Sequence, residues 1–299
     1  MTGGRIDDAV ALLALHARWS HPAIAAWRAA HPDRALVVAM TGTDLYKDLP
    51  AGDVAARYSV ALADRLIVLQ EDAPSHLPPA VRAKARVVFQ SARALVPWPR
   101  KQPGRLHCVL VAHLRDEKDP ATAFAAWRLL PHELPATLAI IGAALDPALG
   151  RAARDLAASD RRVEWLGPRA HAWTRQAIKR AHLLIVPSRM EGGANVVVEA
   201  ITAGTAVLGS RMSGNVGMLS DDYTGYFDVG DAAGLAALLT RAWRDPGFRR
   251  QLDAQCRRRA PLFAPAAEAR GLAATITESV FASRARMSTE PRSIPEGPP

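Results

Sequence analysis

The sequence has little cysteine and no long apolar run. Its two cysteines, Cys108 and Cys256, form no Cys-x-x-Cys pair, which argues against a disulfide framework or a structural zinc site. No apolar stretch reaches the roughly 18 residues of a membrane-spanning helix. The first residues also lack the basic-then-apolar order of a secretory signal. These absences predict a protein of the reducing cytoplasm without a transmembrane segment.

Positive charge exceeds negative charge, and the formal net charge is +9 over 299 residues. Such an excess favours anionic partners, which include nucleic acid, membrane surfaces and phosphorylated small molecules. The arginines are spread along predicted helices, no aromatic stacking residues interleave with them, and no nucleic-acid motif is present. We therefore expect a solvated arginine-rich surface and no nucleic-acid partner. The oligomeric state is not indicated.

Short β-rich apolar runs alternate with longer helical patterns along the whole chain, which predicts βα units around parallel sheets. The first series of predicted strands is Val10–Leu15, Leu36–Met40, Arg65–Leu69 and Arg86–Phe89. The second series is Cys108–Ala112, Thr137–Ile141, Arg162–Leu166, Leu183–Val186, Ala206–Gly209 and Tyr226–Val229. The predicted fold class is therefore α/β, with two Rossmann-like doubly wound domains.

The breaker-rich segment Val96–Gly104 is the best candidate for a linker between the two domains. We predict an N-terminal domain over residues 1–100 and a C-terminal domain over residues 105–264. A helix at residues 265–285 is expected to pack back toward the N-terminal domain. The Pro/Ser/Glu-rich tail, residues 286–299, is expected to be disordered.

The N-terminal domain has fewer predicted strands than a complete doubly wound domain needs, and the chain opens almost directly into a strand. We expect it to be incomplete, since no βα unit precedes the first strand. Either the true start lies upstream of Met1, or the protein is a shortened form.

The most informative segment runs from a predicted strand through a glycine-containing turn into a helix, and it carries Glu191 and Glu199 eight positions apart. Glycines before a helix let backbone amides approach a ligand, and a helix N-terminus favours an anion. Two carboxylates there suit recognition of sugar or ribose hydroxyls. The alternative is helix capping, but with Asn195 as the N-cap the capping-box position is Val198, so Glu199 misses it.

Cations follow the first strand of the second domain. Arg115 and Lys118 lie on a loop just before a helix that begins near Pro120, where they would neutralise a diphosphate. The alternative is an ordinary exposed loop.

Two further polar loops follow predicted strands. Gly214 and Asn215 lie in a glycine-containing stretch that forms either an amide-rich turn at a ligand or a plain βα connection. The loop Thr41-Gly42-Thr43-Asp44 would line the opposite wall of a cleft. His16 at the end of the first strand would do the same, unless it is a capping or packing histidine.

No Asp-x-Asp motif occurs in the sequence. A transferase that holds its diphosphate through Mg²⁺ or Mn²⁺ usually needs such a pair, because these cations prefer carboxylate oxygens. We therefore expect no metal and no other cofactor.

The segment Glu191-x7-Glu199, preceded by Pro-Ser, resembles the signature of family 4 glycosyltransferases. Thr224–Asp231 and Arg162–Gly167 are also similar to segments of that family. The resemblance covers the second domain. It implies the GT-B fold, in which two Rossmann-like domains face a cleft, and a nucleotide-sugar donor.

A narrower resemblance is to the SenB-type selenosugar synthases of selenoneine biosynthesis, over roughly residues 8 to 265. The segments that carry it are His16–Pro22, Thr41–Leu49, His113–Asp119 and Arg189–Val198. It implies transfer of a sugar from UDP-N-acetylglucosamine or UDP-glucose to selenophosphate, giving a 1-selenosugar, UDP and phosphate. The alternatives are a family 4 enzyme with an ordinary hydroxyl acceptor, or a non-catalytic remnant that binds a UDP-sugar.

The resemblance also implies roles for individual residues. The catalytic residues would be Glu191, His16, Arg115 and Lys118. The donor would be bound by Lys118, Arg115, Glu191, Gly192, Gly193, Asn195, Val196, Glu199 and Leu166. From the polar loops after the strands and from their charge, we place on the acceptor side His16, Arg18, Thr41, Gly42, Thr43, Asp44, Gly214 and Asn215. Two positions depart from the family: His113 replaces a phosphate-binding arginine, and Thr41 replaces a histidine.

Overall fold

The protein divides into two compact α/β units. A computed structural model describes residues 8–98, 101 and 104–289, with side chains described through residue 283. The first unit comprises Met1–Leu69, Pro74–Val88 and Ala269–Pro299. The second unit comprises Gln70–Ala73 and Phe89–Glu268.

The described residues of the first unit contain one sheet of four parallel strands in the order β1-β2-β3-β4. The strands are β1 Ala11–Leu15, β2 Ala35–Ala39, β3 Arg65–Val68 and β4 Ala85–Val87. The helices are α1 His21–Ala30, α2 Val54–Leu62, α3 Pro79–Arg82 and most of the last helix, α11 Pro265–Thr289.

Apolar runs and capping residues explain these elements. Strand β2 is apolar throughout and almost fully buried, as expected for a parallel strand covered on both faces. Helix α1 buries Ile24 and Trp27, which are three residues apart and therefore share one face. Helix α2 begins after Asp53, whose carboxylate accepts the amide of Ala56 at 2.8 Å.

The C-terminal helix packs on one face of the first sheet. Leu272 and Ile276 of α11, four residues apart, lie against a buried cluster. That cluster consists of Val37, Ile67 and Val88. The helix therefore covers apolar strand surface that water would otherwise contact.

The described residues of the second unit contain a sheet of six parallel strands in the order β10-β9-β8-β5-β6-β7. The strands are β5 Leu106–Val111, β6 Ala136–Ile141, β7 Val163–Gly167, β8 Leu183–Val186, β9 Ala206–Ser210 and β10 Tyr226–Phe227. The helices are α4 Pro120–Arg128, α5 Pro147–Ser159, α6 His171–Arg180, α7 Asn195–Thr202, α8 Ser213–Leu219, α9 Ala232–Arg244 and α10 Pro246–Arg259.

The strand order of the second sheet reverses beside β5, which lies between β8 and β6. Parallel sheets bind ligands outside the carboxyl ends of the strands at such a reversal, because neighbouring connections there pass to opposite faces. The loops after β5, β6 and β8 meet at this edge. This is where the polar side chains singled out from the sequence are brought together.

The sequence predictions for secondary structure are confirmed for all ten strands, whose ends differ from the expected ones by at most two residues. One segment was predicted wrongly: the stretch that contains Gly214 and Asn215 is helix α8 and not a turn. Helix α11 also continues through Thr289, past the expected start of the tail at residue 286. The rest of the predicted tail lies outside the described residues.

The proposed linker, Val96–Gly104, falls within the second unit, and its residues 99, 100, 102 and 103 lie outside the described residues. The amide of Leu95 donates to the carbonyl of Thr202 at 2.9 Å, and residues 89–98 belong to that compact unit. Both cysteines are free and buried. None of the described helices has the length and apolarity needed to cross a membrane.

Candidate functional site

A tight turn after β5 positions Lys118. The chain passes through a short 3-10 turn, Asp116–Lys118, and then through Asp119 in a left-handed conformation with φ 41°. The Asp119 carboxylate accepts the hydroxyl of Thr122 at 2.8 Å and lies 3.2 Å from the Arg189 guanidinium. These contacts fix the end of the turn, so that Lys118 extends from a supported backbone.

Glu191, on the loop after β8, forms an ion pair with Lys118. The Lys118 Nζ and the Ser188 hydroxyl both donate to Glu191 Oε1 at 2.6 Å. The Glu191 side chain is nearly buried. A Cβ added to Gly214 would lie 2.1 Å from the Glu191 carbonyl oxygen, so α8 packs against this loop as only glycine permits. The carboxylate is therefore held in one place by charge, hydrogen bonding and packing.

Helix α7 begins beside Glu191, and its first turn is open. Ala194 occupies the N-cap position and provides no side-chain hydrogen bond, so the hypothesis that Asn195 is the N-cap is wrong. Asn195 is the first helical residue. The first amides of a helix have no intrahelical acceptor, and a helix N-terminus attracts anions. The start of α7 thus offers amides to a ligand.

Glu199 lies one turn further along α7. Its Oε1 is 2.5 Å from Nε2 of His171, the first residue of α6. The Glu199 side chain is 15% exposed and the His171 side chain 74% exposed, so the pair has one sheltered and one open member. The second carboxylate of the motif is therefore accessible from the same side as the histidine.

These side chains line a cavity of about 550 Å³ at the carboxyl ends of β5, β6 and β7. The predicted donor residues that line it are Arg115, Lys118, Glu191, Gly193, Asn195, Val196 and Glu199. A cavity with an ammonium group, an open helix N-terminus and two carboxylates suits a ligand that has both anionic groups and hydroxyl groups.

Two predicted donor residues are not among those that line this cavity. Leu166, in β7, packs against the hydrophobic core of the second unit. Gly192 lies in the turn, but the residue after it, Gly193, lines the cavity. Both residues lie in segments that reach the cavity, where local backbone geometry determines which residue faces inward.

The sequence analysis missed several lining residues. Arg169 and His171 follow β7, and Gly142 follows β6. Their position at the carboxyl ends of predicted strands could have identified them, because the same position singled out Lys118. Their chemistry alone is weak evidence, because arginine and histidine are common on exposed loops.

The first unit brings together part of the predicted acceptor side. His16 has φ 71°, and its Nδ1 lies 2.9 Å from Asp44 Oδ1. Thr41 donates its amide at 2.8 Å and its hydroxyl at 2.9 Å to Asp44 Oδ2. Arg18 lies 3.3 Å from both Asp48 and Asp53. Gly42 and Thr43 connect Thr41 to the π-helical turn that begins at Asp44.

Gly214 and Asn215 do not form the predicted amide-rich turn, because both residues lie in helix α8. Asn215 is fully buried in α8, and its Nδ2 donates to the carbonyl of Ser210 at 2.9 Å. Its Oδ1 is buried and has no hydrogen-bond partner in the described part of the chain. This asparagine ties α8 to the end of β9, because a helix starts immediately after the strand.

The sequence model of glycosyl transferases group 1 matches residues 99–259, more than half of the chain. The chain belongs to this family. The matched region of this group 1 glycosyltransferase includes the whole cavity. A comparison with curated proteins finds no match.

Solved structures support the fold. HepE from Anabaena, in a complex with UDP and glucose, has a TM-score of 0.71 at 18% identity, over 90% of this chain and 78% of that one. Sucrose-phosphate synthase from Thermosynechococcus elongatus has a TM-score of 0.68 at 19% identity, over 94% and 74%. TarM from S. aureus, in a complex that includes UDP, has a TM-score of 0.67 at 11% identity, over 81% and 50%. This glycosyltransferase therefore has the two Rossmann-like units of GT-B structures, as predicted.

Proposed function

We propose that the protein transfers a sugar from UDP-N-acetylglucosamine or UDP-glucose to selenophosphate, giving a 1-selenosugar, UDP and phosphate. The main support for a UDP-sugar donor is that Lys118, Glu191 and Glu199 line one cavity in a group 1 glycosyltransferase. Support for the acceptor comes from the resemblance of four sequence segments to selenosugar synthases, two of them in each unit.

In this proposal the cavity binds the UDP portion of the donor. Glu199 would accept hydrogen bonds from the ribose hydroxyls, and Glu191 would contact the donor sugar. Lys118, Arg115 and the first amides of α7 would meet the diphosphate. HepE, a solved protein of similar fold, is in a complex with UDP and glucose, which supports a UDP-sugar donor.

The negative charge that grows on UDP as the sugar leaves would be stabilised by these same groups. Lys118 Nζ lies 2.6 Å from Glu191 and is already oriented at the cavity, so little reorganisation is needed. Both carboxylates are engaged, Glu191 by Lys118 and Glu199 by His171. A cationic side chain and helix amides, in place of a divalent cation, therefore fit the leaving-group role at this cavity.

Selenophosphate would need little activation as an acceptor. It is already anionic and its selenium is soft, so the transfer does not require the deprotonation that a sugar hydroxyl requires. Selenium would attack the anomeric carbon while the bond from that carbon to the UDP oxygen breaks. Water would then cleave the phosphorus–selenium bond and release phosphate. His16, Arg18 and the Thr41–Asp44 loop would serve the acceptor side.

The decisive experiment measures UDP release from each UDP-sugar with and without selenophosphate. We expect release only with selenophosphate, together with a selenium-containing sugar in the mass spectrum. Thiophosphate and phosphate serve as matched acceptor controls. Release that depends on a sugar hydroxyl acceptor would favour an ordinary family 4 enzyme. UDP binding without turnover under any condition would favour a non-catalytic binding protein.

A further inference from the structure

A second cluster of chemistry-bearing side chains lies entirely within the first unit. His16 directly follows β1, and Asp44 and Asp48 lie on the single π-helical turn after β2. One ligand atom from each of the three residues lies within 4.8 Å of the other two. The four-residue spacing of the two aspartates places both carboxylates on one side of the turn.

Both carboxylates of this cluster are buried. Asp44 is 0% exposed and Asp48 is 3% exposed. Asp48 Oδ2 is buried and has no hydrogen-bond partner among the described residues. A buried carboxylate oxygen without a partner is costly, because the charge has lost its hydration and gained nothing in exchange. This oxygen indicates a missing positive partner.

The distance between His16 and Asp44 also suits a bound cation. His16 Nδ1 lies 2.9 Å from Asp44 Oδ1, and the Trp19 amide nitrogen lies 3.4 Å from it. A proton on Nδ1 that is donated to the carboxylate, or a cation bound by both atoms, brings the two atoms to this distance.

Arg18 is the competing source of positive charge. Its Nη1 lies 3.3 Å from Asp48 Oδ1, and its Nε lies 3.3 Å from Asp53 Oδ2. These distances are long, and the side chain is 47% exposed. One guanidinium therefore faces two acidic residues, Asp48 and Asp53, and leaves Asp48 Oδ2 without a hydrogen-bond partner among the described residues. Arg18 alone does not neutralise the cluster.

We propose that His16, Asp44 and Asp48 form a binding site for a divalent cation of the Mn²⁺ or Zn²⁺ type. One imidazole nitrogen with two carboxylates is a ligand set that such cations accept. Two metal–ligand bonds of about 2.1 Å that meet near the right angle of an octahedral site span about 3 Å. The 2.9 Å between His16 Nδ1 and Asp44 Oδ1 fits that span.

The surroundings of the cluster support a ligand role for Asp44. Thr41 donates to Asp44 Oδ2 through both its amide and its hydroxyl, so the other oxygen faces His16 and also accepts the Arg18 amide at 3.3 Å. Such supporting hydrogen bonds orient carboxylate ligands in known metal sites. Three protein ligands also leave coordination positions that water or an anionic oxygen fills. The site lies at the carboxyl ends of β1 and β2, the ligand-binding edge of a parallel sheet.

The test uses the full chain after treatment with EDTA. Titration with Mn²⁺, followed by electron paramagnetic resonance of the free ion, should reveal one bound equivalent. Pulsed measurements on the bound ion should detect coupling to an imidazole nitrogen, and this signal needs no variant. Calorimetry with Zn²⁺ should give the same stoichiometry.

The variants locate the site. Asp48→Asn should weaken Mn²⁺ binding at least tenfold, and His16→Gln should remove the nitrogen coupling. Asp53→Asn is the matched control, because Asp53 is a neighbouring carboxylate outside the cluster and asparagine also caps α2. Circular dichroism checks that each variant is folded. If the EDTA-treated chain bound neither added Mn²⁺ nor added Zn²⁺, the proposal would be overturned. Equal Mn²⁺ affinity of the wild type and Asp48→Asn would overturn it as well.

Discussion

At the scale of single residues, the two glutamates of the motif have different surroundings. Glu191 is nearly buried and accepts hydrogen bonds from Lys118 and Ser188. Glu199 pairs, among the described residues, with the exposed His171, and part of its side chain is accessible. A ligand in the cavity therefore meets one fixed carboxylate and one more accessible carboxylate. This difference supports separate roles for them.

Glu199 gives the first residue-scale prediction. The Glu199→Gln variant keeps the shape of the side chain but removes its charge, so it should weaken UDP binding. A hydrogen bond to a charged group contributes about 1.5–3 kcal/mol, which corresponds to an affinity loss of about ten- to a hundredfold. Calorimetric titration with UDP measures the loss. Glu164→Gln, at an exposed position of β7, is the control. Unchanged UDP affinity in Glu199→Gln would remove the ribose contact from the proposed function.

At the scale of elements, the turn after β6 shapes the cavity. Gly142 has φ 150°, and a Cβ at this position would lie 1.9 Å from the carbonyl oxygen of Ala112. The amide of Ala112 in turn donates to the carbonyl of Ile141 at 3.0 Å. The ends of β5 and β6 are therefore in backbone contact, which sets the floor of the cavity.

We predict that Gly142→Ala destabilises the second unit and weakens UDP binding together. The methyl group would push the ends of β5 and β6 apart, and unfavourable backbone conformations cost about 1–3 kcal/mol even without a clash. Denaturant unfolding and UDP titration measure the two effects. Gly52→Ala is the control, since Gly52 has φ 74° but no atom near its Cβ position. Equal losses of stability in both variants would mean that the close contact at Gly142 is unimportant.

At the scale of the whole molecule, excess positive charge makes acid conditions unfavourable. The formal net charge is already +9 with histidines neutral. His182 Nδ1 accepts the amide of His107 at 3.0 Å, so the fold requires this ring to present an unprotonated nitrogen. Burial, assisted by nearby Lys101, His107 and Arg249, lowers the pKa of His182 from 6.5 to about 4.

Stability should therefore fall as pH decreases from about 6.5 toward 4. In that window the unfolded chain binds a proton at His182 that the folded chain does not bind, and the penalty is complete below the folded pKa of about 4. Melting temperatures across this range should fall more steeply for the wild type than for His182→Gln. The exposed His132→Gln is the control. If the melting temperature of His182→Gln fell with pH as steeply as that of the wild type, His182 would not be the cause of the loss of stability.

The helices and strands, and the positions of the candidate site residues along the chain, follow from local sequence patterns. Alternating apolar strands and amphipathic helices predicted all ten strands, because periodicity records which faces each element buries. Position at the carboxyl end of a strand singled out the Lys118 loop and the segment from Glu191 to Glu199. Both inferences depend on information within about twenty residues of sequence.

Tertiary structure decided which of these side chains meet. Lys118 and Glu191 are 73 positions apart, and they pair because the sheet order places β8 beside β5. His171 reaches Glu199 from another helix, and Asn215 turns inward because a helix starts where a turn was expected. A local pattern specifies how an element buries its own surface, whereas the partner of a polar side chain depends on which distant loops the sheet brings together.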